Sequence, residues 1–90
     1  MKKTNVTWRE IELEEIGALD LQEEVLRVRE YDPREELRAY AVYYDGNRGD
    51  MLYRPSTGRC GIALGGNASW YDASPDEVID NIDTTENLRQ

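Results

Sequence analysis

Asp76, Glu77, Asp80 and Asp83 crowd into the stretch SPDEVIDNID, and Asp72 stands just before it. Carboxylates at this density can share a proton, hold a cation, or present a negative surface to a positive macromolecule. The sequence contains no His, which removes the usual proton shuttle near neutral pH, the Ser-His and Cys-His nucleophile pairs and most zinc sites. Asp80-Asn81-Ile82-Asp83 lacks the Gly and the later Glu that a calcium loop requires. The expectation is therefore no metal, no cofactor and no catalytic residue, in a chain that is not an enzyme.

Cys60 is the sole cysteine, so no internal disulfide can form. Arg59 is its neighbour, but adjacent strand residues point to opposite faces. Cys60 therefore reads as a buried, inert thiol. The glycines of GRCGIALGG are not followed by the Lys-Ser/Thr of a phosphate loop and read as turns around a strand. Tyr40, Tyr43, Tyr44, Tyr53 and Tyr71, with Trp70, form the other concentration of chemistry. In a chain without Phe they serve as core residues whose hydroxyls reach water, or as an aromatic face that docks a partner.

Ninety residues with a net charge of −8 make one small domain. The charge is uneven: residues 1–38 carry −4, residues 39–70 carry +1 and residues 71–90 carry −5. Such a surface repels phosphates, so neither direct nucleic-acid binding nor membrane binding is expected. A basic protein partner suits it. No apolar run approaches the roughly 20 residues of a membrane helix, and MKKTNVTWREIE lacks an apolar signal core. A cytoplasmic location is the expectation.

These residues need elements to position them. Thr7-Trp8-Arg9-Glu10 fits a capping box, which predicts a helix over about residues 9–20; a short strand ending near Ile11 is the rival. Alternation in EVLRVREY predicts a strand over residues 24–31 with Leu26 and Val28 buried. Asp32-Pro33-Arg34-Glu35 starts at most one helical turn, residues 33–36, or is a turn. A strand over residues 37–44, a loop over 45–50, a strand over 51–54, a turn over 55–58 and a strand over 59–64 follow. Gly65-Gly66-Asn67 reverses the chain into a short strand over residues 68–71. Ser74-Pro75-Asp76-Glu77 opens a helix from Pro75 to about Ile82, with Val78, Ile79 and Ile82 facing the sheet. The predicted fold class is α+β. It is a single domain over residues 1–90 with a three- to four-stranded antiparallel meander and an N-terminal and a C-terminal helix on one face. Residues 1–5 and 84–90 are expected to fray.

On the last helix, with Asp76 at zero, Asp80 falls near about 40° and Asp83 near about 340°, opposite the apolar side. Residues 76–83 place an acid every ~2.6 Å, against one charge per ~3.4 Å on a DNA strand. An acidic stripe of this kind can occupy the basic groove of a nucleic-acid enzyme, a nucleic-acid mimic steered in by charge. In size, acidity and lack of catalytic groups the chain is similar to small phage anti-defence inhibitors and to immunity proteins, a resemblance of composition that carries no motif. The reading is a small acidic inhibitor of a basic or nucleic-acid-handling protein. Its partner-binding residues are Asp72, Asp76, Glu77, Asp80, Asp83, Tyr44, Tyr53, Trp70 and Tyr71. The alternative is a non-catalytic accessory domain that forms a homodimer and owes its acidity to solubility or salt adaptation.

Overall fold

The structure, a computed structural model, describes residues 6–88, with side-chain surroundings for residues 6–82. In chain order the elements are β1 (Val6–Ile11), a 3-10 turn (Leu13–Glu15), α1 (Leu19–Tyr31), β2 (Arg38–Tyr44), β3 (Asn47–Arg54), β4 (Arg59–Ala63), β5 (Ser69–Tyr71) and α2 (Pro75–Leu88). The strands form one sheet in the order β1-β2-β3-β4-β5, and every neighbouring pair is antiparallel. The α+β class is as expected, with one strand more than the predicted maximum.

The extra strand is β1, where the rival reading of the N-terminal segment prevails. Trp8 pairs with Val42 and Ile11 with Ala39. The alternation of Trp8 and Glu10 against Arg9 and Ile11 is that of a strand, and the Thr7 capping box does not form. Instead, Glu12 and Glu15 make a box around the 3-10 turn, with Glu12 N–H donating to Glu15 Oε2 at 3.0 Å.

EVLRVREY is helical, not extended, and lies inside α1. Leu21 and Val28 are fully or nearly fully buried and Val25 is half-buried, a spacing of four and three that puts all of them on one helical side. Leu26, expected inside, is 69% exposed. The predicted turn of helix at residues 33–36 is instead the stop of α1. Asp32 is its C-cap, and the Asp32 carboxylate accepts the Arg34 N–H at 3.0 Å.

The β2–β3 hairpin is tighter than the expected six-residue loop. Asp45 and Gly46 both have positive φ, 48° and 76°, the two-residue turn whose twist matches the strands. β3 therefore begins at Asn47 and includes Gly49, where a Cβ would lie 2.5 Å from the Ala63 carbonyl oxygen. The remaining boundaries fall within one residue of expectation, except that α2 continues to Leu88. Of the residues expected to fray, 1–5 and 84–90, residues 84–88 belong to α2, and residues 1–5 and 89–90 lie outside the described residues.

The two helices cover opposite faces of the sheet, not one. Alternation divides each strand between two cores. Ile11, Ala39, Ala41, Leu52 and Ala63 pack with Leu21 of α1 and with Ile16. Tyr40, Val42, Met51, Cys60 and Ile62 pack with Val78 and Ile79 of α2. Strands β2 to β4 are apolar at successive positions, as both faces being covered requires.

Candidate functional site

The predicted partner-binding residues come from the β5–α2 corner and from the sheet. Tyr71 ends β5, Asp72 leads into the connection, and Asp76 and Glu77 occupy the first turn of α2, where the helix dipole favours anions. Asp72, Asp76, Glu77 and Asp80 are all exposed. Glu77 reaches back to accept the Ser74 N–H at 3.4 Å, the Glu half of the capping box, and Val78 N–H donates to the Ser74 carbonyl at 3.0 Å, so the helix starts at Pro75 as its sequence implies. Asp80 also interacts within the chain. The side chain of Asp83 lies outside the described residues.

Among the described residues, the ion pairs join Arg27 to Glu24, Arg38 to Glu10 and Glu36, Arg48 to Asp50, and Arg54 to Glu35. None of these pairs includes Asp72, Asp76 or Glu77. Their charge is not cancelled by the arginines of the sheet.

Of the aromatic residues named, Tyr71 alone adjoins the acids, as the chain neighbour of Asp72; it is 39% exposed and, through the pairs Tyr53–Cys60 and Cys60–Tyr71, shares the α2 side of the sheet. Tyr44 and Tyr53 are half-buried and pack into the α2-side core, as the core reading of the tyrosines has it. Trp70 lies on the other side, against the α1-side core, because it precedes Tyr71 in a strand. The corner therefore comprises Tyr71, Asp72, Asp76 and Glu77, and Trp70 belongs elsewhere.

Cys60 is fully buried, and burial pushes its thiol up to about 12. At neutral pH it is protonated and carries no thiolate chemistry. Among the described residues no three His, Cys, Asp or Glu side chains converge as a metal would need, and no helix is long and apolar enough to cross a membrane.

Two features escaped the sequence reading. Asp50 is a buried carboxylate, 6% exposed, in the middle of β3. Its Oδ2 accepts the N–H groups of Gly17 and Ala18 at 3.0 and 3.1 Å, and its Oδ1 accepts Arg48 Nη2 at 3.0 Å. Ala18, the N-cap of α1, has no capping side chain, and Asp50 instead holds the chain as it enters the helix by satisfying the N–H groups of Gly17 and Ala18 themselves. The second feature is an exposed apolar set on α1: Leu19, Leu26 and Tyr31 are 67, 69 and 84% exposed.

No protein family, curated protein or solved structure matches the chain. Its α+β fold is established by its own geometry.

Proposed function

We propose that the protein is a small protein-binding inhibitor whose acidic β5–α2 corner docks on a basic, nucleic-acid-handling protein. The observation that carries this is the exposure of Asp72, Asp76 and Glu77 beside Tyr71, with no arginine of the described sheet paired to them. Exposed like charges at a helix start steer a cationic partner into contact, and a neighbouring tyrosine supplies apolar area at low entropic cost. The net charge of −8 adds a long-range attraction to any basic surface.

Capture by the immobilised protein tests this at about 0.1 M and about 1 M salt, over which the screening length falls from ~10 Å to ~3 Å. Retention of a basic protein at low salt, lost at high salt and lost in the triple variant Asp72→Lys, Asp76→Lys, Glu77→Lys, is the expected outcome. Capture that ignores both salt and charge reversal sinks the proposal. Circular dichroism of the triple variant checks that the fold is kept.

The exposed Leu19, Leu26 and Tyr31 favour a second reading, a homodimer through α1. Glu23 and Glu30 share that exposed side, so two copies repel there and salt strengthens the dimer. The two readings thus predict opposite responses to salt. Sedimentation at increasing protein concentration that finds only monomer removes the dimer.

A further inference from the structure

Arg54 and Arg59 stand directly opposite each other on β3 and β4, a like-charge cross-strand pair that costs stability. In a chain with nineteen acids and eleven cations this placement calls for a reason. Both arginines line the rim of a cleft of about 190 Å³ on the α1 side of the sheet, with Leu37, Leu52 and Trp70 as its apolar lining and Glu24 at its α1 wall. The cleft is smaller than the ~300 Å³ at which drug-sized ligand sites begin, so its occupant is a small molecule.

The charges around the cleft can be balanced. Arg54 Nε lies 3.0 Å from Glu35 Oε2, and Arg27 pairs with Glu24. That leaves Arg59, whose guanidinium carbon sits 4.9 Å from the centre of the Trp70 ring and which forms no ion pair among the described residues. A guanidinium held over an aromatic face keeps its in-plane N–H donors for a carboxylate. The indole is itself held in place by Gly61, where a Cβ would meet Trp70 Cζ3 at 2.5 Å. The cleft thus offers one uncompensated positive charge beside an apolar surface.

We propose that this cleft binds a small organic monocarboxylate, with the carboxylate on Arg59 and its apolar body against Leu37, Leu52 and Trp70. A dianion is disfavoured by the adjacent Glu24 and Glu35, and a bare inorganic anion makes no use of the apolar lining. The site is independent of the β5–α2 corner, which lies on the opposite side of the sheet, so either can fail without the other.

Two-dimensional NMR of the unmodified protein tests it by following the Trp70 indole N–H and the Gly61 amide during titration. The probes are sodium benzoate, sodium octanoate, neutral benzamide and inorganic phosphate at constant ionic strength. Trp8, on the α2 side of the sheet, is the internal control. Saturable shifts of Trp70 and Gly61 with benzoate or octanoate, at least about tenfold weaker binding in Arg59→Gln, and a static Trp8 are expected. Benzamide binding as well as benzoate, phosphate binding better than either carboxylate, an Arg59→Gln variant that binds unchanged, or no saturable shift would each overturn the assignment.

Discussion

Arg48 Nη2 lies 3.0 Å from Asp50 Oδ1 and also donates to the Glu15 carbonyl at 3.1 Å. One arginine and one carboxylate thus tie the segment between β1 and α1 to the middle of the sheet. Asp50→Ala strips the acceptor from two backbone N–H groups and leaves Arg48 without its carboxylate. A loss of about 2–4 kcal/mol is expected in urea unfolding. Asp50→Asn keeps an acceptor and should lose less. Equal losses for the two variants would mean that the hydrogen bonds to Gly17 and Ala18 contribute little.

Cys60 should resist thiol reagents in the folded protein at pH 8 and react fully in denaturant. Burial raises its pKa to about 12, against about 8.5 in the unfolded chain. Between those values the unfolded state gives up a proton that the folded state keeps, so stability falls as pH rises through that window. Rapid labelling of the native protein would show that the β3–β4 core opens far more readily than its packing implies.

Glu35 receives the Ser56 hydroxyl and Arg54 Nε, and these hydrogen bonds lower its pKa, Ser56 first and Arg54 second. A depressed carboxylate contributes stability that is present above the unfolded value of about 4.3 and is lost as pH falls through the folded one. Acid unfolding of Glu35→Gln should therefore show a shallower loss of stability below about pH 4.3 than the parent. Superimposable acid limbs would exclude Glu35 as a contributor.

Gly61→Ala places a methyl group where Trp70 lies and should cost about 1–3 kcal/mol, with a shift in tryptophan emission as the indole moves. Gly66→Ala is the control, because nothing lies within 4 Å of a Cβ there. Its expected change is within about 0.5 kcal/mol. A neutral Gly61→Ala would mean that the indole is not seated on β4.

How far these relationships were legible depends on their range in sequence. Ser74-Pro75-Asp76-Glu77 announced its helix start because the signal acts within four residues, whereas the two-residue turn at Asp45-Gly46 was read as part of a six-residue loop. In EVLRVREY the alternation of Leu26 and Val28 was misleading, since the helical side that decides the matter runs through Leu21, Val25 and Val28. β1 was obscured for a different reason: its partner β2 follows a whole helix, and only that pairing separates a strand from a helix at residues 6–11. The start of β3 was hidden by Gly49 and Asp50, residue types depleted in strands, each kept there by a long-range contact.

Of the site, the exposed acids of the first turn of α2 were readable, since a capping sequence places them in solvent. The separation of Trp70 from Tyr71 was already implied by alternation in the predicted strand over residues 68–71, which puts neighbours on opposite faces and so cannot place both on one docking surface. The cleft beneath Arg59 could not be read, because it depends on α1 covering the opposite side of the sheet from α2.

That two-sided arrangement bears on how the chain is made. A nascent polypeptide that has emerged only through β5 can seal the α1 side while Tyr40, Val42, Met51 and Ile62 stay open to water. The newborn protein must keep this wall from sticking to its neighbours until α2 leaves the ribosome and closes it, so premature termination just before Pro75 should yield insoluble product.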